Sequence, residues 1–135
     1  MTKISDQRRM VTEFALAMGH PVSVSLEPVL LDFRMKLIGE ESSEVADAIT
    51  QLGDELPGGP FLETAKQDVA KELADLLYVI YGMAAAFDID IDEAFRRVHK
   101  SNMSKLGDDG KPVYRADGKV MKGPNYRKPD MGGTW

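Results

Sequence analysis

The 135-residue chain has room for one domain with a core of its own and too little for two, and its 43% hydrophobic and 29% charged residues with a net charge of −5 fit a soluble globular protein. The absence of cysteine excludes disulfides, zinc thiolates and thiol catalysis. No apolar run reaches the roughly 18 residues of a membrane span, and Asp6, Arg8, Arg9 and Glu13 interrupt the first twenty residues, so neither a membrane partner nor a secretory signal is expected and the location is cytoplasmic.

A first amphipathic helix is predicted from Asp6 to Met18, with Met10, Val11, Phe14, Ala15 and Met18 on one side and Gly19-His20-Pro21 as its stop. A connector to Pro28 leads into a second helix from about Val29 to Gly53. Leu56-Pro57-Gly58-Gly59-Pro60 then breaks the chain before a third helix, from Pro60 or Phe61 to Phe87. The alternating aspartates of Asp88-Ile-Asp-Ile-Asp resemble the start of a calcium loop, but Glu93 and His99 stand where that loop needs Gly and Glu. Asp90 or Asp92 is read instead as the N-cap of a fourth helix, Ile91 to Lys105. Beyond Leu106 the paired Asp-Gly turns around Lys111-Pro-Val-Tyr-Arg115 predict a β-hairpin turning at Ala116-Asp117-Gly118, followed by a turn-rich tail from Gly123 to Trp135 along the surface or on a neighbouring subunit. The whole is one all-α domain, 1–135, with a helical body over 4–106 and a basic hairpin and tail over 107–135.

Acidic residues fall in the second and third helices where the pattern asks for apolar ones. At helical spacing Leu30, Phe33, Leu37, Ala48 and Leu52 form a stripe, and Glu41 and Glu44 land within it, with Glu40 on its flank. Glu72 and Asp75 lie one turn apart beside the stripe of Val69, Leu73, Leu76, Leu77, Ile80 and Ala84. A buried carboxylate needs a cation, a proton or a donor close by, since leaving it bare costs several kcal/mol. Oxygen-only ligands on two helices suit hard cations, Mg²⁺ or Mn²⁺. Zinc or iron would want imidazole, and neither His20 nor His99 lies one turn from a cluster carboxylate. Such cations neutralise a polyphosphate and stabilise a leaving diphosphate, while a free carboxylate takes the proton from water.

Charge is spread unevenly: residues 1–99 hold nine basic and eighteen acidic groups, residues 100–135 eight and four. An acidic body disfavours nucleic acid as a partner, whereas a small polyphosphate suits carboxylate-bound cations beside a basic tail. Leu76 to Phe87 carries no charge at all, and a helix apolar all round is covered all round. A homodimer or homotetramer in which third helices pack on each other is therefore expected.

Glu40-Glu41-Ser42-Ser43-Glu44, followed 28 residues later by Glu72-Leu73-Ala74-Asp75, resembles the paired E-E-x-x-E and E-x-x-D motifs of the all-α nucleoside triphosphate pyrophosphohydrolases, the MazG-like superfamily that includes dimeric dUTPases and phosphoribosyl-ATP pyrophosphohydrolase. Val98 to Lys105 and Lys122 to Tyr126 are similar to segments that follow the fourth helix in MazG-like members. The resemblance, over about residues 29–128, implies a four-helix fold and Mg²⁺-dependent cleavage of a nucleoside triphosphate to monophosphate and pyrophosphate. It implies that Glu40, Glu41, Glu44, Glu72 and Asp75 hold metal, that Glu41 or Glu44 is the base, that Asn102 and Lys105 contact the nucleotide and Lys122 its phosphates, and that Tyr126 lies near the base ring. Phosphoribosyl-ATP enzymes usually lack so long a basic tail, so a housecleaning or dUTP/dCTP-type role ranks above histidine biosynthesis. Other expectations are a non-catalytic nucleotide-binding helical oligomer or, less favoured, a nucleic-acid binder.

Overall fold

The computed structural model describes residues 3–135. Four helices and a hairpin follow in order: α1 (Asp6–Ala17), α2 (Pro28–Asp54), α3 (Leu62–Phe87), α4 (Ile91–Met103), β1 (Val113–Tyr114) and β2 (Val120–Met121). Local chemistry sets their ends. Ser5 caps α1 by accepting from the Arg8 backbone N–H at 3.2 Å. Pro28 opens α2, where its missing N–H costs nothing. Asp90, not Asp92, caps α4 by accepting from the Glu93 N–H at 3.1 Å.

The chain forms two compact units, Ser5–Ile89 and Asp90–Trp135, the latter grouped with the chain start up to Ile4. In the first, α3 packs against both α2 and α1. The α2–α3 pair is antiparallel: Glu41 meets Glu72 and Asp75, while Arg34, seven residues earlier, meets Gly82. After α3, Asp88 takes a left-handed conformation (φ 56°) and the Ile89 N–H reaches back to the Ala84 carbonyl at 2.9 Å. The Ala85 and Ala86 carbonyls, otherwise orphaned at the helix end, accept from Ser23 and Val24 of the connector at 2.9 and 2.8 Å.

The core of this unit is built from small residues. Val11, Ala15, Ala48, Ala65, Ala84, Ala85, Ala86 and Phe87 are buried, and among the described residues no large side chain is fully enclosed. The face of α3 differs from the sequence reading. Leu73 and Leu77, placed there in the apolar stripe, are 46% and 54% exposed, whereas Glu72, placed on its flank, is half-buried. A helix apolar around most of its circumference does not say which part meets its neighbour, and here the small residues that admit close approach decide it.

In the second unit the tail runs antiparallel along α4 and is tied to it at four levels. Gly123 N–H donates to the Lys105 carbonyl (2.9 Å), Ser101 Oγ to the Arg127 carbonyl (2.7 Å), Arg97 Nη1 to the Asp130 and Gly132 carbonyls (2.8 and 2.6 Å), and Asp90 N–H to the Thr134 carbonyl (2.7 Å). The hairpin pairs Val113 with Met121 and Tyr114 with Val120, and Gly118 (φ 86°) completes the turn expected at Ala116-Asp117-Gly118. Gly123 is required by contact: a Cβ there would lie 2.6 Å from the Lys105 carbonyl oxygen and 2.7 Å from that of Leu106. Gly123→Ala is expected to cost about 1–3 kcal/mol and to loosen the tail, read as a lower thermal midpoint and faster tryptic cleavage after Arg127.

Candidate metal centre

Helices α2 and α3 bring Glu41, Glu72 and Asp75 together: one carboxylate oxygen from each lies within 4.8 Å of the others, and all three side chains are half-buried. Burial falls unevenly across the group. Glu41 Oε2 and Glu72 Oε2 are sealed from solvent and have no hydrogen-bond partner among the described residues. A buried acceptor left bare costs about 1–3 kcal/mol, more when charged. The outer side is partly neutralised by Lys71, whose ammonium donates to Asp75 Oδ2 at 2.7 Å and Glu72 Oε1 at 3.2 Å. These contacts, Asp75 first, push Lys71 well above its ordinary value.

Glu44 stands against this group but is itself exposed. Hydrogen bonding to Glu41 and then Glu72, together with their negative charge, raises its carboxyl above the ordinary 4.5. Glu40 is exposed and lies outside the converging three. Two inward oxygens without donors, hard ligands throughout and surplus negative charge fit a divalent cation of the magnesium or manganese kind.

The other residues singled out from the sequence lie in the second unit. Asn102 is exposed on the last turn of α4, and Lys105 is half-buried just beyond it. Lys122 sits over the Tyr126 ring at 4.7 Å, beside the Gly123–Lys105 hydrogen bond, so Lys105, Lys122 and Tyr126 share one neighbourhood. Asn125 Nδ2 donates to Asp108 Oδ1 at 2.8 Å and holds that corner. A cavity of about 540 Å³ between α4 and the tail is lined by Arg96, Arg97, Lys100, Arg127 and Lys128 and contains none of the predicted site residues.

Sequence reasoning missed Arg34. It is 5% exposed, makes no hydrogen bond or ion pair among the described residues, and lies over the Phe33 ring at 5.4 Å. Burial lowers its pKa. The available signal was a lone arginine between Phe33 and Leu37 on the inward stripe of α2.

Glu72→Gln removes one of the crowded negative charges, so the metal-free variant is expected to melt a few degrees above the parent, while Mg²⁺ stabilises the parent and leaves the variant unmoved; a thermal shift series reads both. The raised carboxyl of Glu44 also fixes a sign. Its contribution to metal-free stability is fully present below 4.5 and is lost as pH rises through its raised value, so stability of that form declines over this window and Glu44→Gln flattens the decline.

The phosphoribosyl-ATP pyrophosphohydrolase family model matches residues 11–102, which takes in α2, α3, the whole acidic cluster and Asn102. An uncharacterised protein of Acanthamoeba polyphaga mimivirus is 27% identical over 119 residues, covering 83% of this chain; the chain spans about 40% of that protein's length. With the model matched across more than half its residues and over both acidic helices, the chain belongs to the phosphoribosyl-ATP pyrophosphohydrolase family.

Proposed function

We propose that the protein is a Mg²⁺-dependent nucleoside triphosphate pyrophosphohydrolase of the housecleaning or dUTP/dCTP type, splitting its substrate between the α and β phosphates. The observation that carries this reading is the pair of buried oxygens on Glu41 and Glu72 without a hydrogen-bond partner among the described residues, on carboxylates that converge with Asp75. Glu41, Glu72 and Asp75 hold the cation, with Glu40 and Glu44 at its margin. The ion, when bound, neutralises phosphate charge and polarises a phosphoryl oxygen.

Glu44 is the carboxylate best placed as base. It touches Glu41 and Glu72 without belonging to the converging three, and its exposure leaves a water free to approach it. Water oxygen attacks the α-phosphorus, its proton passes to Glu44, and the bridging oxygen departs with pyrophosphate. Glu41 is the second choice. Lys71 balances the charge of Glu72 and Asp75 from the solvent side. Asn102, Lys105, Lys122 and Tyr126 stand as nucleotide contacts on the motif match.

The family match favours a second reading, hydrolysis of phosphoribosyl-ATP. That substrate carries an additional sugar phosphate on the purine and needs a correspondingly larger site. Incubation with Mg²⁺ and a panel of canonical and modified triphosphates plus phosphoribosyl-ATP, assayed for pyrophosphate apart from orthophosphate, separates the two. Turnover confined to phosphoribosyl-ATP would assign the second, and orthophosphate as sole product would reject both. Glu44→Gln is expected to slow pyrophosphate release by about 10²–10⁴-fold with helical content unchanged by circular dichroism.

A dimer or dimer of dimers belongs to the same proposal. Leu73, Leu77 and Tyr78 stay 40–54% exposed on α3, alongside a core of small residues. Light scattering is expected to give a dimer or tetramer, and Leu77→Asp to dissociate it; a stable monomeric parent would remove this part of the proposal.

A further inference from the structure

The cavity of about 540 Å³ between α4 and the tail is built by the second unit alone. On the helix side its wall is Glu93, Arg96, Arg97, Lys100, Ser101 and Ser104, spaced i, i+3, i+4, i+7, i+8 and i+11, so all six lie on one face of α4 and its C-cap. Asn102, expected to contact the nucleotide, falls about half a turn round the helix from the middle of that face. Neither the converging carboxylates of the metal centre nor Lys105, Lys122 and Tyr126 line this cavity. The tail supplies the facing wall with Arg127, Lys128 and Asp130.

The wall carries five cations and two acids, and both acids are already engaged. Glu93 is shared by Arg96 Nε at 3.1 Å and Arg97 Nε at 3.0 Å, and Asp130 Oδ1 accepts from the Gly132 N–H at 2.9 Å. Arg97 Nη1 is taken up by the Asp130 and Gly132 carbonyls. The side chains of Lys100, Arg127 and Lys128 make no hydrogen bond or ion pair among the described residues. Arg127 is nevertheless fixed through its backbone: Ser101 Oγ donates to its carbonyl at 2.7 Å and Ser104 Oγ accepts from its N–H at 2.9 Å. A hydrogen-bonded frame thus holds surplus positive charge round one hollow, with Arg96 and Lys100 one helical turn apart, a like-charge spacing that costs stability. An anion in the hollow relieves it.

The lining also limits what that anion is. Cations on two walls meet separate oxygens, so the ligand carries its charge along a chain; guanidinium pairs two phosphate oxygens at once and ammonium binds as a point charge. The volume lies within the roughly 300–1,000 Å³ of small-molecule sites. No lining residue is aromatic, so a base finds no ring to stack on, which disfavours single-stranded nucleic acid.

We infer that this cavity is a second anion site, which takes the phosphate chain of a small polyphosphate, free or carried by a nucleotide, without a metal ion. Lys100, Arg127 and Lys128 supply its unpaired donors, and Arg96 adds the Nη nitrogens that Glu93 leaves free. No carboxylate of the metal centre takes part, so the site does not depend on the proposed hydrolysis.

Calorimetric titration of the full, metal-stripped chain at fixed ionic strength tests this, with inorganic tripolyphosphate, a nucleoside triphosphate and sulfate as probes. Tripolyphosphate is expected to bind more than about tenfold tighter than sulfate, and the nucleotide within about threefold of tripolyphosphate. Lys100→Gln combined with Lys128→Gln is expected to weaken tripolyphosphate by at least about tenfold, with helical content and the Mg²⁺-induced thermal shift intact. Lys122→Gln is expected to leave that affinity unchanged. Bound tripolyphosphate ties the tail to α4, so tryptic cleavage after Arg127 slows. An affinity no greater than that of sulfate, one that survives the double substitution, or one lost in Lys122→Gln overturns the assignment. So does a nucleotide bound more than about tenfold tighter than tripolyphosphate, which requires a base contact this cavity lacks, or single-stranded DNA bound tighter than tripolyphosphate. If the double variant fails to fold, Lys128→Gln on the exposed tail takes its place, and an unchanged affinity there overturns the site too. None of these readings needs turnover, so failure of the hydrolase proposal and failure of this one are told apart.

Discussion

Two carboxylate oxygens, on Glu41 of α2 and Glu72 of α3, are held out of water with no donor among the described residues, on side chains that converge. Continuous helices make this tolerable. Over 27 and 26 residues, backbone bonding and the packing of the pair fix the register that sets Glu41 opposite Glu72 and Asp75. The energetic penalty of crowded like charge is held in a frame that does not yield, the usual arrangement where a protein gives up stability for a site. A cation entering between them converts the largest local repulsion into attraction.

The same helix pair supplies a second uncompensated group two turns away. Arg34 and the carboxylates have opposite charge, yet Arg34 is spaced along α2 so that it forms no ion pair with them. A guanidinium close enough to bridge Glu41 would satisfy both and close the site. Keeping them apart leaves the carboxylates with their charge uncompensated from this side, as a site for a cation requires. Small residues carry this arrangement. Gly82 admits the guanidinium, and the alanines at the end of α3 let the α1–α2 connector bond directly to that helix's last carbonyls.

The second unit is organised by hydrogen bonds more than by burial. Arg97 illustrates the economy: its Nε binds Glu93 on its own helix, and its Nη1 takes two tail carbonyls. That one side chain orients a turn-rich segment with no secondary structure of its own. Ser101 and Ser104 do the same a turn later, where Ser101 Oγ gives to the Arg127 carbonyl and Ser104 Oγ takes its N–H.

Sequence alone determined the four helices and their order, because apolar periodicity, Pro28, the break at Pro57–Pro60 and the aspartates before Ile91 act through neighbouring residues. It determined the hairpin, since Asp117-Gly118 demands a positive φ at the glycine. It also pointed to an acidic group of five, Glu40, Glu41, Glu44, Glu72 and Asp75, as periodicity put acids against an apolar stripe on two helices joined by a short break, and the structure brings Glu41, Glu72 and Asp75 of these together. Tertiary structure decided which face of α3 turns inward, exposing Leu73 and Leu77 and half-burying Glu72. It alone decided that Glu40 stands clear of the converging group, that the tail lies along α4, and that Arg34 is buried with no hydrogen bond or ion pair among the described residues. Each of these depends on the rotation and register of one element against another, which a helical period, repeating every turn and blind to its neighbour, does not encode.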